Sequence, residues 1–389
     1  MQSNKGIIAI MLRELRILVS RPLYLFCMVI APLCCCLFFT TLMNEGLPKN
    51  LPVGVVDQDN TSTTRNIIRN LDAFTQTGIS KQYANIAEAR KDMQRGKIYA
   101  FYYIPKGTTD DVMASRQPKV SFYTNNTFLI AGSLIYRDMR TMSELAKGAV
   151  GLQTMQARGI PEAAARAFLQ PIVIDTHALQ NPWLNYSVYL NNTILPGILM
   201  LMIFMMTVFS IGGEIKYNTR KEWLEMADQN IMRALLGKLA PHTLIFYAVA
   251  LGINVYLYGV LQFPFHCSVG ALMLSTLVMV LASQGFGVLV FSLLPTLRLA
   301  LSACSLWGVV SFSISGFTFP VMAMHPSLQM LANLFPLRHY FLIYVNQILN
   351  GYPIEYAWKP YLALVIFILL PLPFLGRLHK ALREFNYIP

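Results

Sequence analysis

The sequence predicts a polytopic α-helical membrane protein with six transmembrane helices and an α/β extracytoplasmic domain inserted after the first of them. Of the 389 residues, 55% are hydrophobic and only 13% are charged, whereas soluble domains carry about 25% charged residues. Uncharged apolar runs long enough to cross a bilayer recur along the chain. A long polar segment with alternating strand and helix patterns separates the first run from the second. The apolar runs occupy residues 23–42, 192–211, 244–263, 269–294, 299–319 and 361–375.

The chain before the first run predicts an amphipathic helix, residues 1–22, that lies in the membrane interface on the cytosolic side. Ile10 and Leu18 stand at helical spacing among apolar neighbours, and Arg13 and Arg16 interrupt them. A cleaved signal peptide is the alternative for the run that follows, residues 23–42. This run is too long for the apolar part of a signal peptide and no small-residue cleavage site follows it. We therefore expect an uncleaved first span.

Residues 43–190 have the pattern of a structured α/β domain rather than of a loop. Turn residues separate short apolar runs, which are typical of strands, from longer amphipathic runs, which are typical of helices. The predicted strands are residues 53–57, 98–104, 120–123 and 171–174. The predicted helices begin after Asn60, cover residues 86–95 and 128–158, and resume after Pro161.

Lysine and arginine are concentrated at one end of the predicted spans. The basic residues at this end are Lys216, Arg220, Lys221, Arg233, Lys238, Arg298, Arg377, Lys380 and Arg383. The loops at the other end, after the third and fifth spans, hold only Arg338 and Lys359. The positive-inside rule then places both termini, the loop 212–240 and the tail 377–389 in the cytosol, with the α/β domain outside. The same distribution accounts for the net charge of +12 without nucleic acid as a partner, and we expect a multi-pass protein of the inner (cytoplasmic) membrane.

Several functional classes are disfavoured by residues that the sequence lacks. The central parts of the spans contain no acidic or basic residue, whereas proton- and ion-coupled carriers usually need such groups. No phosphate-binding loop, zinc-protease or serine-hydrolase motif is present. The six cysteines lie in or beside apolar runs and match neither a zinc nor a disulfide framework. We therefore expect no enzyme, metal or cofactor in this chain, and energy for transport would have to come from another chain.

Short motifs then occur in an order that is typical of one transport family. They follow Arg21-Pro22 and lie at residues 53–60, 96–105, 181–186, 236–241, 315–320 and 335–340. With this order over nearly its full length, the chain resembles the permease subunit of a type-2 ABC exporter with a large outer domain between its first and second spans. In that arrangement residues 191–376 form a five-span transmembrane domain.

The resemblance implies that the loop 212–240 couples the spans to an ATPase. Thr219 and Glu222 stand at capping-box spacing and predict a short helix over residues 219–227. Relatives commonly carry Glu-Arg-x-x-Gly-Thr-x-Glu here, and this chain has Asn218 in place of the glycine. Trp223, with its apolar neighbours, would fill a groove on the ATPase, whereas the alternative is a solvated charged loop. The predicted coupling residues are Glu214, Lys216, Thr219, Arg220, Lys221, Glu222, Trp223 and Glu225.

The second and fifth spans, with the region 320–360 that follows, are expected to form the pathway and its outer gate. That region is predicted to be a re-entrant helical pair, and an ordinary outer loop is the alternative. The predicted pathway and gate residues are Met202, Phe204, Met205, Phe209, Ser313, Ser315, Phe317, Pro320, Met322, Pro336 and His339.

By resemblance, the expected function is that of a membrane-spanning permease subunit that moves an amphipathic, lipid-like or drug-like substrate outward. A separate ABC ATPase subunit would bind ATP and Mg. A second permease subunit, identical or related, would complete a dimer among membrane lipids, and a periplasmic adaptor is left open. The alternative is a membrane-anchored scaffold or binding protein whose outer domain recruits an envelope partner without transport.

Overall fold

The computed structural model describes residues 6–114, 116–177 and 180–384, which divide into two compact units. One unit comprises Met1–Asn44 and Leu179–Pro389, and the other comprises Glu45–Ala178. Residues 1–5 of the predicted interfacial helix and residues 385–389 of the predicted tail lie outside the described residues.

The described chain is mainly helical, with one small sheet. In chain order its elements are α1 (Ile7–Ser20), α2 (Pro22–Leu25), a π-helical segment (Phe26–Ile30), α3 (Ala31–Leu42), β1 (Leu51–Asp57), α4 (Ser62–Asp72), β2 (Thr77–Gln82), α5 (Ile86–Gln94), β3 (Ala100–Ile104), α6 (Thr108–Met113), β4 (Ser121–Thr124), α7 (Leu129–Ala157), α8 (Glu162–Leu169), α9 (Tyr186–Lys216), α10 (Arg220–Met226), α11 (Ile231–Asn254) with a π-helical end (Val255–Val260), α12 (Val269–Leu293), α13 (Leu297–Ile314), α14 (Pro326–Ala332), α15 (Pro336–Ile343) with a π-helical end (Tyr344–Leu349), α16 (Trp358–Leu369) and α17 (Leu375–Glu384).

Six helical segments within the described residues are long and apolar enough to cross a membrane, and each contains most of one predicted run. They are Pro22–Leu42, Tyr186–Lys216, Ile231–Val260, Val269–Leu293, Leu297–Ile314 and Ile354–Glu384. The second and third segments begin before their predicted runs, because hydropathy marks only the apolar part of a helix whose ends are polar.

Helices α9 and α12 form the centre of the larger unit. Their most apolar stretches are 61% and 67% buried, against 22–28% for the other four segments. Gly287 and Gly308 lie so close to α9 that a Cβ atom there would be 2.9 Å from Thr207 and 2.5 Å from Leu201. The outer helices leave apolar side chains uncovered, which hydrocarbon tolerates and water does not.

The region 320–360 contains two short helices after α13. In α15, Pro336, Leu337, Tyr340 and Ile343 are buried, whereas α14 buries only Ala332. Two short helices therefore lie in this region, and a re-entrant pair at membrane depth stays a prediction.

The smaller unit is a four-stranded sheet with helices on both faces. The strand order is β2-β1-β3-β4, with β1 parallel to β2 and β3, and β4 antiparallel to β3. Ile68 of α4 and Ile135 of α7 pack on one face, and Ala89 of α5 packs on the other. Helices α4 and α5, which link the parallel strands, thus cover opposite faces of the sheet, and α7 packs on the same face as α4.

Three predicted strands are present in this unit, and one prediction was wrong. Residues 171–174 form no strand, and the side chains of Ile172, Val173 and Ile174 are 75%, 81% and 78% exposed. Apolar alternation alone does not make a strand, because the backbone groups also need a neighbouring strand. Strand β2 was missed because its sequence, Thr77–Gln82, is mostly polar at this edge position.

One carboxylate in this unit is buried beneath the sheet edge. Asp138 of α7 is 3% exposed and accepts a hydrogen bond of 3.0 Å from the Thr77 hydroxyl. Burial raises the pKa of Asp138, and the Thr77 hydrogen bond and the nearby Arg137 charge only partly oppose that rise.

Candidate functional site

Helix α1 lies against the beginning of α11 and the end of α10. A Cβ atom on Gly237 would be 2.8 Å from Cβ of Ile10 and 3.0 Å from the Ile7 carbonyl oxygen, so only glycine fits there without displacement. The backbone N–H of Gly6 donates to the Met226 carbonyl at 3.0 Å. These contacts join the polar segment between α9 and α11 to the amphipathic helix.

Five ionisable side chains from three helices meet behind this contact, and we call Arg13, Glu14, Glu214, Lys238 and His242 the ionic cluster. The Lys238 Nζ atom lies 2.7 Å from Oε2 of Glu14 and 2.7 Å from Oε1 of Glu214. Arg13 donates through both terminal nitrogens to the Glu214 carboxylate at 2.8 and 3.0 Å. His242 Nε2 donates to Oε1 of Glu14 at 2.9 Å. The cluster therefore connects α1, α9 and α11 by charge-assisted hydrogen bonds.

Four members of the ionic cluster are buried, Arg13 is half-buried, and the formal charges of the two carboxylates balance those of Arg13 and Lys238. Glu14 is fully buried, and Glu214 and Lys238 are 3% and 1% exposed. Burial raises the pKa of Glu14, but the Lys238 charge and the hydrogen bond from His242 outweigh it and lower the pKa to about 2. Glu14 is thus a carboxylate at neutral pH. Removing one partner from such a cluster typically costs about 3–5 kcal/mol, because it leaves a buried charge uncompensated.

Helix α10 is held beside the ionic cluster by its tryptophan. Trp223 is fully buried, its Nε1–H donates to the Ala234 carbonyl at 3.3 Å, and Lys238 Nζ lies 5.1 Å from its ring centre. Leu224 beside it is 3% exposed. The apolar face of this short helix therefore packs inside the protein.

The predicted capping box at the start of α10 is wrong, although the helix itself is present. No side chain caps its first turn, and Thr219 has φ −95° and ψ 0° instead of the extended backbone of an N-cap residue. The Thr219 hydroxyl donates to Oε2 of Glu214 at 2.5 Å. A carboxylate is a strong competing partner for this hydroxyl. Glu222 turns towards Arg13, with 3.6 Å between its Oε1 and the arginine Nε.

A model of the family described as ABC-2 family transporter protein matches residues 22–375. The chain belongs to the ABC-2 transporter family. The resemblance carried by the sequence motifs is thereby confirmed.

Curated relatives of this ABC-2 protein match part of its length. It is similar to the Probable multidrug ABC transporter permease YbhR of Escherichia coli, in strains K12 and O157:H7, with 25% identity over 182 residues. The match covers 46% of this chain and 48% of the relative. The chain thus spans about half the length of the curated relatives it matches.

The predicted coupling residues of the ABC-2 chain fall into a buried and an exposed group. Glu214, Arg220 and Trp223 are buried and Thr219 is half-buried, so none of the buried three offers its side chain to a protein outside. The exposed members are Lys216, Lys221, Glu222 and Glu225. The groove-filling role expected for Trp223 does not fit its full burial here, because the tryptophan instead anchors α10 to α11. A coupling role for the set as a whole stays a prediction.

Sequence reasoning missed three of the five members of the ionic cluster, two from α1 and one from α11. Arg13, Glu14 and His242 were not singled out, yet a signal existed for one of them. Ile10, Glu14 and Leu18 are spaced four residues apart and form the buried face of α1, so a carboxylate interrupts an apolar helix face. A charge in that position indicates a buried partner.

The predicted gate residues are also divided between the interior and the surface. Phe204 packs on Phe286 with 4.8 Å between ring centres, and His339 Nε2 donates to the Asn333 carbonyl at 2.9 Å. Phe317 lies beside Tyr189, whose hydroxyl donates to the Phe317 carbonyl. Buried members are Phe204, Ser315, Phe317, Pro336 and His339, half-buried members are Met202, Met205 and Phe209, and exposed members are Ser313, Pro320 and Met322.

Metal binding receives no support from the arrangement of ligand side chains. Across the part of the chain that the structure describes, no group of three or more His, Cys, Asp or Glu side chains is placed to hold a metal ion.

Proposed function

We propose that this chain is the membrane-spanning permease subunit of an ATP-driven ABC exporter. It moves an amphipathic, lipid-like or drug-like substrate outward across the cytoplasmic membrane. Family membership supports the transporter class, and the name of the similar YbhR proteins, a probable multidrug permease, supports the substrate class. The basic residues at one end of the spans support a topology with both termini and the loop 212–240 in the cytosol and the unit Glu45–Ala178 outside.

The observation that carries this proposal is the two-sided character of α10. One face is buried through Trp223 and Leu224, and the other presents Lys221, Glu222 and Glu225 to the surroundings. An exposed charged face on a firmly anchored short helix suits recognition of a soluble subunit by complementary charge. That subunit is the ABC ATPase, which binds ATP and Mg.

The ionic cluster gives a physical route from α10 to the spans. Thr219 precedes α10 and is bonded to Glu214, which in turn is bonded to Arg13 and Lys238. Pulling any of these helices away would expose or unpair a buried charge. A displacement of α10 by the ATPase is therefore shared by α1, α9 and α11, which move as one body.

Two permease subunits, identical or related, form the pathway between them. Exposed Ser313, Pro320 and Met322 are free to face the second subunit or the substrate. Methionine and aromatic side chains are adaptable apolar contacts and suit an amphipathic cargo. A periplasmic adaptor is compatible with this arrangement and is not required by it.

The docking role is tested by exchanging two charges on the exposed face of α10. The Lys221→Glu/Glu225→Lys variant keeps the net charge and the buried face of α10. We expect retention of the ATPase during purification to fall about tenfold or more, since opposed like charges at an interface cost several kcal/mol. The matched control is Glu162→Arg/Arg166→Glu, another exchange across one helical turn, in the other unit.

Transport is measured separately with inside-out membrane vesicles. ATP should drive uptake of a fluorescent amphipathic compound, and the α10 variant should lose it while the α8 control keeps it. If the α10 variant keeps full assembly with the ATPase and full uptake, the proposed docking role is wrong. Stable assembly without ATP-dependent uptake of any such compound would instead favour the scaffold function.

A further inference from the structure

A cavity of about 220 Å³ opens between α1, the start of the first span and the end of α9. Arg16 and Arg21 line it from one side, and Tyr24, Ser210 and Tyr217 line it from the other elements. The first candidate span begins at Pro22 and the second ends at Lys216. The cavity therefore lies where the ends of two adjacent spans meet the membrane surface.

The cavity carries positive charge that the protein does not neutralise. The other charged residues of its lining are Arg13, Lys238 and Glu214, and Glu214 is bonded to both Arg13 and Lys238. Among the described residues, no carboxylate lies within ion-pair distance of Arg16 or Arg21. Arg21 stacks on Tyr217, with its Cζ atom 4.0 Å from the ring centre. Stacking fixes the plane of the guanidinium and leaves its N–H edge available to an anion.

Size and surroundings identify the kind of anion. Pockets for drug-sized ligands measure about 300–1,000 Å³, so a cavity of about 220 Å³ accepts a headgroup rather than a whole ligand. The helices that form it expose large apolar side chains: Ile8, Leu12 and Val19 of α1 are 74%, 58% and 87% exposed, and Phe26 of the first span is 53% exposed. An anion with acyl chains satisfies both the charge and these side chains.

We propose that this cavity binds the phosphate group of an anionic phospholipid. Arg16 and Arg21 donate to the phosphate oxygens, and the acyl chains lie along the exposed apolar side chains of α1 and the first span. Paired guanidinium groups suit this recognition because each presents two parallel N–H donors to a phosphate. The bound lipid need not be cargo, since it holds α1 on the membrane surface whether or not the chain transports.

The test uses the purified full-length chain and native mass spectrometry with short-chain lipids. The probes are phosphatidylglycerol, which is anionic, and phosphatidylcholine, which has the same chains and no net charge. We expect Arg16→Gln/Arg21→Gln to weaken phosphatidylglycerol binding about tenfold or more, because the substitutions remove the charge-assisted hydrogen bonds to the phosphate. Phosphatidylcholine has the same phosphate, but its quaternary ammonium group offsets the phosphate charge, so it should bind more weakly to the unmodified chain and lose less affinity on substitution. The matched control, Arg298→Gln/Arg383→Gln, removes two exposed arginines at the same end of the spans, and neither lines the cavity. It should bind within about twofold of the unmodified chain, since the contacts in the cavity stay intact.

A second variant separates a built site from general surface charge. Arg16→Lys/Arg21→Lys keeps both charges and loses the planar donors and the stacking, so its affinity should lie between those of the unmodified chain and the glutamine variant. If the lysine variant and the unmodified chain bind phosphatidylglycerol equally, the proposed site is wrong. The same follows if the glutamine variant and its control lose equal affinity. Inorganic phosphate at millimolar concentration should not displace the lipid. Displacement at such concentrations would assign the cavity to free phosphate instead.

Discussion

Substitution of Glu14 by glutamine tests whether the ionic cluster holds α1, α9 and α11 together. Glutamine keeps the size of the side chain and its acceptor for the His242 and Ser210 hydrogen bonds, which are both 2.9 Å long. It removes one negative charge beside Lys238. The cluster is then left with one excess positive charge in a buried position.

The expected loss of stability follows from the same contacts. Lowering the pKa of Glu14 from 4.5 to about 2 corresponds to about 3 kcal/mol of stabilisation at neutral pH, since each tenfold change in acidity is worth about 1.4 kcal/mol. Unpairing a buried charge typically costs about 3–5 kcal/mol, which agrees with that figure. Because the pKa is lower in the folded protein, the stabilisation is complete above pH 4.5 and is lost as the pH falls towards about 2.

Thermal unfolding in detergent, compared at one scan rate, measures this effect. We expect Glu14→Gln to lower Tm at pH 7 by about 5 °C or more, and the gap to the unmodified chain to narrow between pH 5 and pH 3. The exposed substitution Glu225→Gln is the control. In Glu14→Gln/Lys238→Met the charges balance again, so the double variant should lower Tm by less than the sum of the decreases in the two single variants. An unchanged Tm in Glu14→Gln, or strictly additive losses in the double variant, would refute a coupled cluster.

Three further predictions concern packing and protonation. Trp223→Ala should destabilise α10 by about 3–5 kcal/mol and speed hydrogen exchange in residues 217–230, whereas Trp183→Ala, at a side chain 84% exposed, should not. Gly237→Ala should cost about 1–3 kcal/mol by pushing α1 away, seen as faster proteolysis of α1; Gly252→Ala, with open space around it, is the control and should leave the cleavage rate unchanged. Asp138→Asn should slow hydrogen exchange in β2 and α7 at pH 7. Because the pKa of Asp138 is raised in the folded protein, ionisation of this carboxyl lowers the stability of the fold as the pH rises, and asparagine does not ionise. A faster exchange in this variant would show that its carboxylate is stabilising.

The spans and the buried strands could be predicted because their signal is local. Runs of apolar residues fix α9 and α12, and the continuous apolar run in β1 indicates a strand covered on both faces. The close contact at Gly54 of β1 could not be predicted in this way. A Cβ atom there would lie 2.6 Å from the Tyr83 ring, and the local sequence contains no signal for that contact.

The candidate site was only half predictable, since its members are far apart in sequence. Glu214 and Trp223 stood out within a charged segment, but their surroundings did not. The spacing of Thr219 and Glu222 indicates a cap, whereas tertiary contacts with Glu214 and Arg13 use the same side chains differently. Local rules are overridden where a buried charge needs a partner.

The ionic cluster also constrains the order in which this chain assembles. Glu14 meets Ser210 and Lys238 across 196 and 224 residues of intervening sequence. At about 5–20 residues per second, synthesis of that stretch takes roughly 10–45 s. During this interval the buried face of α1 has no binding site, since α9 and α11 do not yet exist. The exposed apolar side chains of α1, such as Ile8 and Val19, keep the helix on the lipid surface during this interval, so α1 reaches its final contacts only after α11 has been made.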